Sequence, residues 1–185
     1  MNLHPVFVHF PIALLTIYAL MELVRFKKLM AQPYWFYAKA LFLMIGGLGA
    51  LAALYTGDMA KYAVAHGDFV VAISNFRQVV NMHENFADLS VAIFGILAAC
   101  YLIIWINRGA STPLFSKEGV RGSYFKVWQI LVKVAHAFVE TKFVILLALA
   151  GLICITITGG LGGIMVYGPS ADPFFGFIYK LLFGQ

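Results

Sequence analysis

Residues 143–167 read FVILLALAGLICITITGGLGGIMVY, a run without one charged side chain. A helix needs about 20 apolar residues to cross the hydrocarbon core of a bilayer, and this run exceeds that length. Working outward from it, three further apolar stretches are long enough to span, at about 5–25, 35–55 and 85–105. Strands of a membrane barrel are only about 10 residues long, so runs of this length exclude that alternative. The composition of the whole chain agrees. Of 185 residues, 62% are hydrophobic and 11% charged, and the mean hydropathy is +0.88. Soluble domains sit near half apolar and about a quarter charged. The expected fold is all-α: one integral membrane four-helix bundle, residues 1–185, with no linker, repeat or low-complexity tract.

The connections set the expected orientation. The first holds Arg25, Lys27, Lys28 and Lys39, and the third holds Arg108, Lys117, Arg121, Lys126, Lys133 and Lys142. In the second, Asp58 and Asp68 balance Lys61 and Arg77. Basic loops stay in the cytoplasm, so loops one and three are expected inside and both termini outside. This placement accounts for the net charge of +5 better than a nucleic-acid surface does. At about 125–139, apolar residues recur at helical spacing while Lys126, Gln129, Lys133 and Glu140 share the opposite face. That pattern predicts an amphipathic helix at the inner membrane surface, before the last span. The aromatic stretch 173–183 is too short to span and is expected at the outer interface. Before the first apolar run there is no positive region, so the first span is expected to remain in the mature chain.

Cys100 and Cys154 both lie within apolar runs. They make no disulfide framework, no C-x-x-C-H motif for covalent haem is present, and both read as packing residues. The histidines are more informative. With the expected topology, His4, His9, His66 and His83 all fall on the outer side, and only His136 lies inside. Imidazole binds iron, copper or zinc and carries protons near neutral pH, and polar groups at membrane depth point to function. His9 and His83 lead the expected ligand set, with His4 and His66 behind them.

Five residues on a helix is a rotation of about 140°, so His4 and His9 face different directions unless Pro11 distorts the turn. Cofactor sites in bundles draw side chains from facing helices. A histidine of the first span is therefore expected to pair with His83 as the two axial ligands of haem b. On depth, His9 lies about eight residues, or roughly 12 Å, below His83, and His4 matches it better. Glu84 and Asp88 share a helix face beside His83. They read either as carboxylates that orient the ligand or as acidic residues favouring a first helical turn. Gly159, Gly160, Gly162 and Gly163 would admit a ring or a neighbouring helix at the same depth, whereas Gly46, Gly47, Gly49 and Ala50 read as packing alone.

The run His4-Pro5-Val-Phe-Val-His9-Phe-Pro11-Ile12, with Thr56-Gly57-Asp58, His83 and Gly162-Gly163-Ile-Met-Val-Tyr167-Gly168, resembles the bacterial membrane proteins grouped as domain of unknown function 2231. The resemblance implies four spans in a bacterial membrane and site residues at His4, His9, His83, Gly163 and Tyr167; taken with the basic loops, the expected location is the inner membrane with both termini periplasmic. Some relatives are joined to cytochrome c-like modules, which implies an electron-transfer setting. Relatives often carry a histidine shortly after the tyrosine. Here Gly168-Pro169 stands instead, which implies one haem and not two, unless His66 substitutes. The expectation is a b-type haem protein passing electrons from a quinol to a periplasmic or membrane-complex partner: a carrier or accessory subunit more than an enzyme. Two alternatives stay open: a copper- or zinc-binding membrane protein, and a cofactor-free structural subunit of a redox complex. Nothing in the chain resembles a hydrolase triad, a phosphate-binding loop or a channel.

Overall fold

The computed structural model describes residues 4–65, 73–109 and 122–184. Every regular element among them is helical: α1 (His4–Leu23), α2 (Lys27–Met30), α3 (Pro33–Ala65), α4 (Phe76–Gly109), α5 (Gly122–Glu140), α6 (Phe143–Tyr167) and α7 (Pro173–Phe183). Four of these, α1, α3, α4 and α6, are long and apolar enough to cross a membrane. The helices α3 and α4 continue beyond their apolar stretches through the polar turns around Asp58 and Gln78, so they outrun the spans that hydropathy alone marks.

Helix α1 packs on α3 and α6, and α4 packs on the same two neighbours, so α1 and α4 occupy opposite corners of the bundle. Their inward faces meet along the central axis, where Leu15, Tyr18, Phe94 and Leu97 are fully or almost fully buried. Glu22 follows His4 by about five helical turns, and Tyr101 follows His83 by the same interval, so each pair lies on one face of its helix about 27 Å apart. Because α1 and α4 run in parallel, His4 meets His83 at one end, and Glu22 meets Tyr101 at the other.

The second meeting point is an ion cluster. Glu22 is fully buried and accepts from Lys39 Nζ of α3 at 3.1 Å on each carboxylate oxygen. It also accepts from the Tyr101 hydroxyl, with Arg25 at 3.5 Å. Three of the four long helices are tied there, close to the basic ends of the bundle.

Helix α5 has three faces. Val132 and Ala135 are buried, Lys126 and Lys133 are exposed on a polar stripe, and Val127, Ile130, Leu131 and Val134 form an exposed apolar strip. Helix α7 starts with the Asp172 side chain accepting from the Phe174 backbone N–H at 2.7 Å, with Pro173 in its first turn. It packs on α6 by setting Phe175 over Gly163 and Ile178 over Gly160. A Cβ on Gly163 would lie 2.2 Å from the Phe175 ring, whereas one on Gly95 would meet nothing within 4 Å. Gly163→Ala is therefore expected to lower stability by about 1–3 kcal/mol through overpacking. Gly95→Ala is expected to be neutral or stabilising by up to about 1 kcal/mol. Thermal unfolding in detergent compares the two.

Candidate functional site

His4 opens α1 and His83 lies two turns into α4. Their ring centroids are 6.4 Å apart and the ring planes cross at 78°. Each ring is held by the neighbouring helix in the same manner. His83 Nδ1 is 2.9 Å from the Thr158 carbonyl oxygen on α6. A carbonyl only accepts, so Nδ1 carries the proton. Gly162 lies beside the ring: a Cβ there would be in ordinary van der Waals contact, 3.5 Å from His83 Cε1.

His4 repeats the pattern on α3. Its Nδ1 is 3.2 Å from Thr56 Oγ1, and Gly57 leaves the ring its space, a Cβ there being 3.3 Å from His4 Cε1. Thr56 directs its own hydroxyl proton to the carbonyls of Ala52 and Ala53, at 3.0 and 3.1 Å. Its oxygen is thus left to accept, and His4 Nδ1 is the donor. In a neutral imidazole with the proton on Nδ1, the lone pair resides on Nε2. His83 therefore carries its basic nitrogen on the side away from the Thr158 carbonyl, while the His4 ring has a further hydrogen bond, to the Ala53 backbone. Metal-binding histidines are oriented elsewhere as His83 is, with one nitrogen fixed by a carbonyl or hydroxyl and the other offered to a metal.

The remaining sequence candidates lie apart from this pair. His9 is exposed on α1, turned about 140° from His4 by regular helix geometry; no described contact joins it to His83. His66 lies outside the described residues. Glu84 binds Lys61 Nζ at 2.7 and 2.9 Å on the exposed rim, and Asp88 is exposed. Since α4 begins at Phe76 and has no acidic residue in its first turn, a helix-dipole role for either carboxylate is excluded. The group orienting His83 is a main-chain carbonyl. Gly163 receives Phe175, and Tyr167 is 71% exposed. His136 sits beside Glu140 on α5, at 3.8 Å. Among the described residues, no group of three or more His, Cys, Asp or Glu side chains is placed to hold a metal ion.

Sequence reasoning missed Thr56 and Thr158 as ring anchors. The signal was present in part: Thr56 directly precedes Gly57, which leaves space for the His4 ring, and Thr158 stands four residues before Gly162, which lies beside the His83 ring.

Residues 1–170 match the model of a family described as predicted membrane protein, DUF2231. The chain belongs to this family. The DUF2231 match takes in all four long helices and both imidazoles with their anchors, and ends before α7. No curated protein and no solved structure matches the chain.

Proposed function

We propose that this DUF2231 protein binds one b-type haem between His4 and His83 and carries electrons between a quinol and a periplasmic or membrane-complex redox partner. The observation that carries the reading is the facing imidazole pair. A metal–imidazole bond is about 2 Å and the ligating nitrogen lies about 1 Å from its ring centroid, so two rings bound on opposite sides of one ion have centroids about 6 Å apart. The observed 6.4 Å fits this arrangement. Two imidazoles from separate helices are also the donor set of a six-coordinate b-type centre.

When bound, haem supplies reversible one-electron chemistry; the protein's part is to fix and tune it. Thr56 and Thr158 hold the Nδ1 protons, which sets the tautomer and limits ring rotation. Val79, one turn before His83 on α4, and Leu161 are fully buried, with Met82 and Phe86 packed against them, an apolar setting of the kind a haem would need. In the orientation expected from the basic loops, the pair would lie toward the periplasm, within reach of a soluble electron acceptor.

A reduced-minus-oxidised spectrum of the purified protein tests the reading, which requires b-type α and Soret bands. A colourless protein containing copper or zinc would replace it with the non-haem alternative, and a colourless, metal-free one with the structural-subunit alternative. Thr56→Val, which removes the acceptor for His4 Nδ1, is expected to weaken haem binding about 10- to 100-fold without eliminating it. Haem titration of the apoprotein measures this, and Thr56→Ser should restore most of the affinity.

A further inference from the structure

The two ends of the bundle use their charges differently. At the imidazole end, Lys61 is paired with Glu84 at 2.7 Å, and Asp58 and Asp172 are exposed. At the other end, Glu22 takes up Lys39 and reaches Arg25, and Arg108 lies over the Phe36 ring at 3.9 Å. Five lysines, on α2, on α5 and at the corner before α6, are left over. Lys27, Lys28, Lys126, Lys133 and Lys142 are all exposed, and none is in an ion pair among the described residues. The carboxylate nearest to them in sequence, Glu140, is 3.8 Å from His136.

The fold gathers these lysines into two groups that adjoin. Arg25 Nη2 donates to the Thr141 carbonyl at 3.4 Å, which fastens the end of α1 to the α5–α6 corner. Lys142 follows Thr141, and Lys27 and Lys28 come two and three residues after Arg25, so the three belong to one corner. Along α5 each residue turns by about 100°, which sets Lys126 and Lys133 within about 20° of each other, with Ile130 beside them and Val134 and Val127 beyond. A row of lysines thus borders the exposed apolar strip of Val127, Ile130, Leu131 and Val134. A helix of this kind rests its apolar strip on acyl chains while its lysine stems extend to headgroup level. Each lysine or arginine close to an anionic lipid surface favours it about fivefold.

We propose that α5 and the α2 corner form a docking surface for anionic phospholipids. Their phosphate groups meet Lys27, Lys28 and Lys142 at the corner and Lys126 and Lys133 along α5, and their acyl chains cover the strip. Zwitterionic lipids can fill the same strip, but their own ammonium offsets the phosphate charge, so the unpaired lysines discriminate against them. The corner is at the far end of the bundle from the imidazoles, and the proposal stands whether or not a haem is bound there.

Native mass spectrometry of the full chain, released from micelles holding equal amounts of phosphatidylglycerol and phosphatidylcholine, tests this. The parent should retain phosphatidylglycerol in preference, by about tenfold or more. The triple variant Lys27→Gln, Lys28→Gln, Lys142→Gln and the double variant Lys126→Gln, Lys133→Gln should each lower that preference about fivefold or more. Lys180→Gln, at the imidazole end, should leave it unchanged. Glutamine forms helix about as well as lysine, so helical circular dichroism should be the same in all of them. Equal retention of the two lipids, or a preference that survives both multiple variants, overturns the proposal. A lipid-free dimer that the same substitutions abolish also overturns it, by making a second copy the occupant.

Discussion

His83→Ala is expected to yield a folded protein that has lost the spectrum of a six-coordinate haem. In the proposed site His83 would supply one of the two nitrogens that hold the haem, and its ring is the one anchored to α6 through the Thr158 carbonyl. Removing it would leave a haem with a single strong ligand, so the Soret band should vanish or shift to that of a weakly bound, five-coordinate form. His4→Ala should do the same from the α1 side. His9→Ala should leave the spectrum unchanged, because His9 faces outward from α1. The three variants therefore separate a ligand pair from a general need for histidine. The outcome that counts against the pairing is loss of the spectrum in His9→Ala with retention in His4→Ala. Helical circular dichroism of each variant shows that the bundle persists.

The second large effect lies at the other end. Glu22→Ala leaves the Lys39 ammonium buried beside Tyr101, whose ring centroid is 5.5 Å away, with no counter-charge in contact. Breaking a buried pair by removing one partner costs about 3–5 kcal/mol, whereas exchanging both partners for apolar residues of similar volume is often neutral or stabilising. Glu22→Ala is thus expected to cost about 3–5 kcal/mol. The double variant Glu22→Leu, Lys39→Met should recover most of that loss. Unfolding by denaturant or heat in micelles measures both. A single variant as stable as the parent would mean that the pair holds the three helices together far less than its burial implies.

The path from sequence to fold was short where hydrophobicity decides the outcome. The charge-free run 143–167 forms one of the four helices long and apolar enough to cross a membrane, whereas Lys39, read as part of a basic connection, lies buried on α3. Which histidine of α1 meets His83 was harder to read, although the depth match and the rotation both favoured His4. Its deeper place in the span brought His9 forward, but rotation decides which ring enters the bundle. His4 shares its stripe with the buried Pro11, Leu15, Tyr18 and Glu22, and His9 does not.

The five-turn interval from His4 to Glu22, repeated from His83 to Tyr101, was readable in the sequence. It gains meaning only once α1 and α4 are known to be parallel and diagonal. Glu22 and Lys39 were passed over for a related reason: each sits at the end of an apolar stretch, where charges are ordinary, and only packing shows them buried. Nor did hydropathy mark Gly163 as the seat of Phe175, since that contact depends on where α7 folds back.

Electron paramagnetic resonance of the oxidised, purified protein at low temperature addresses the central claim most directly. Two imidazoles on one ferric haem give a low-spin centre, and ring planes crossing near 78° favour the strongly anisotropic form of that signal over the ordinary rhombic one. The account predicts one such signal, absent from both His4→Ala and His83→Ala. A high-spin signal, a copper signal or no haem signal at all would contradict it.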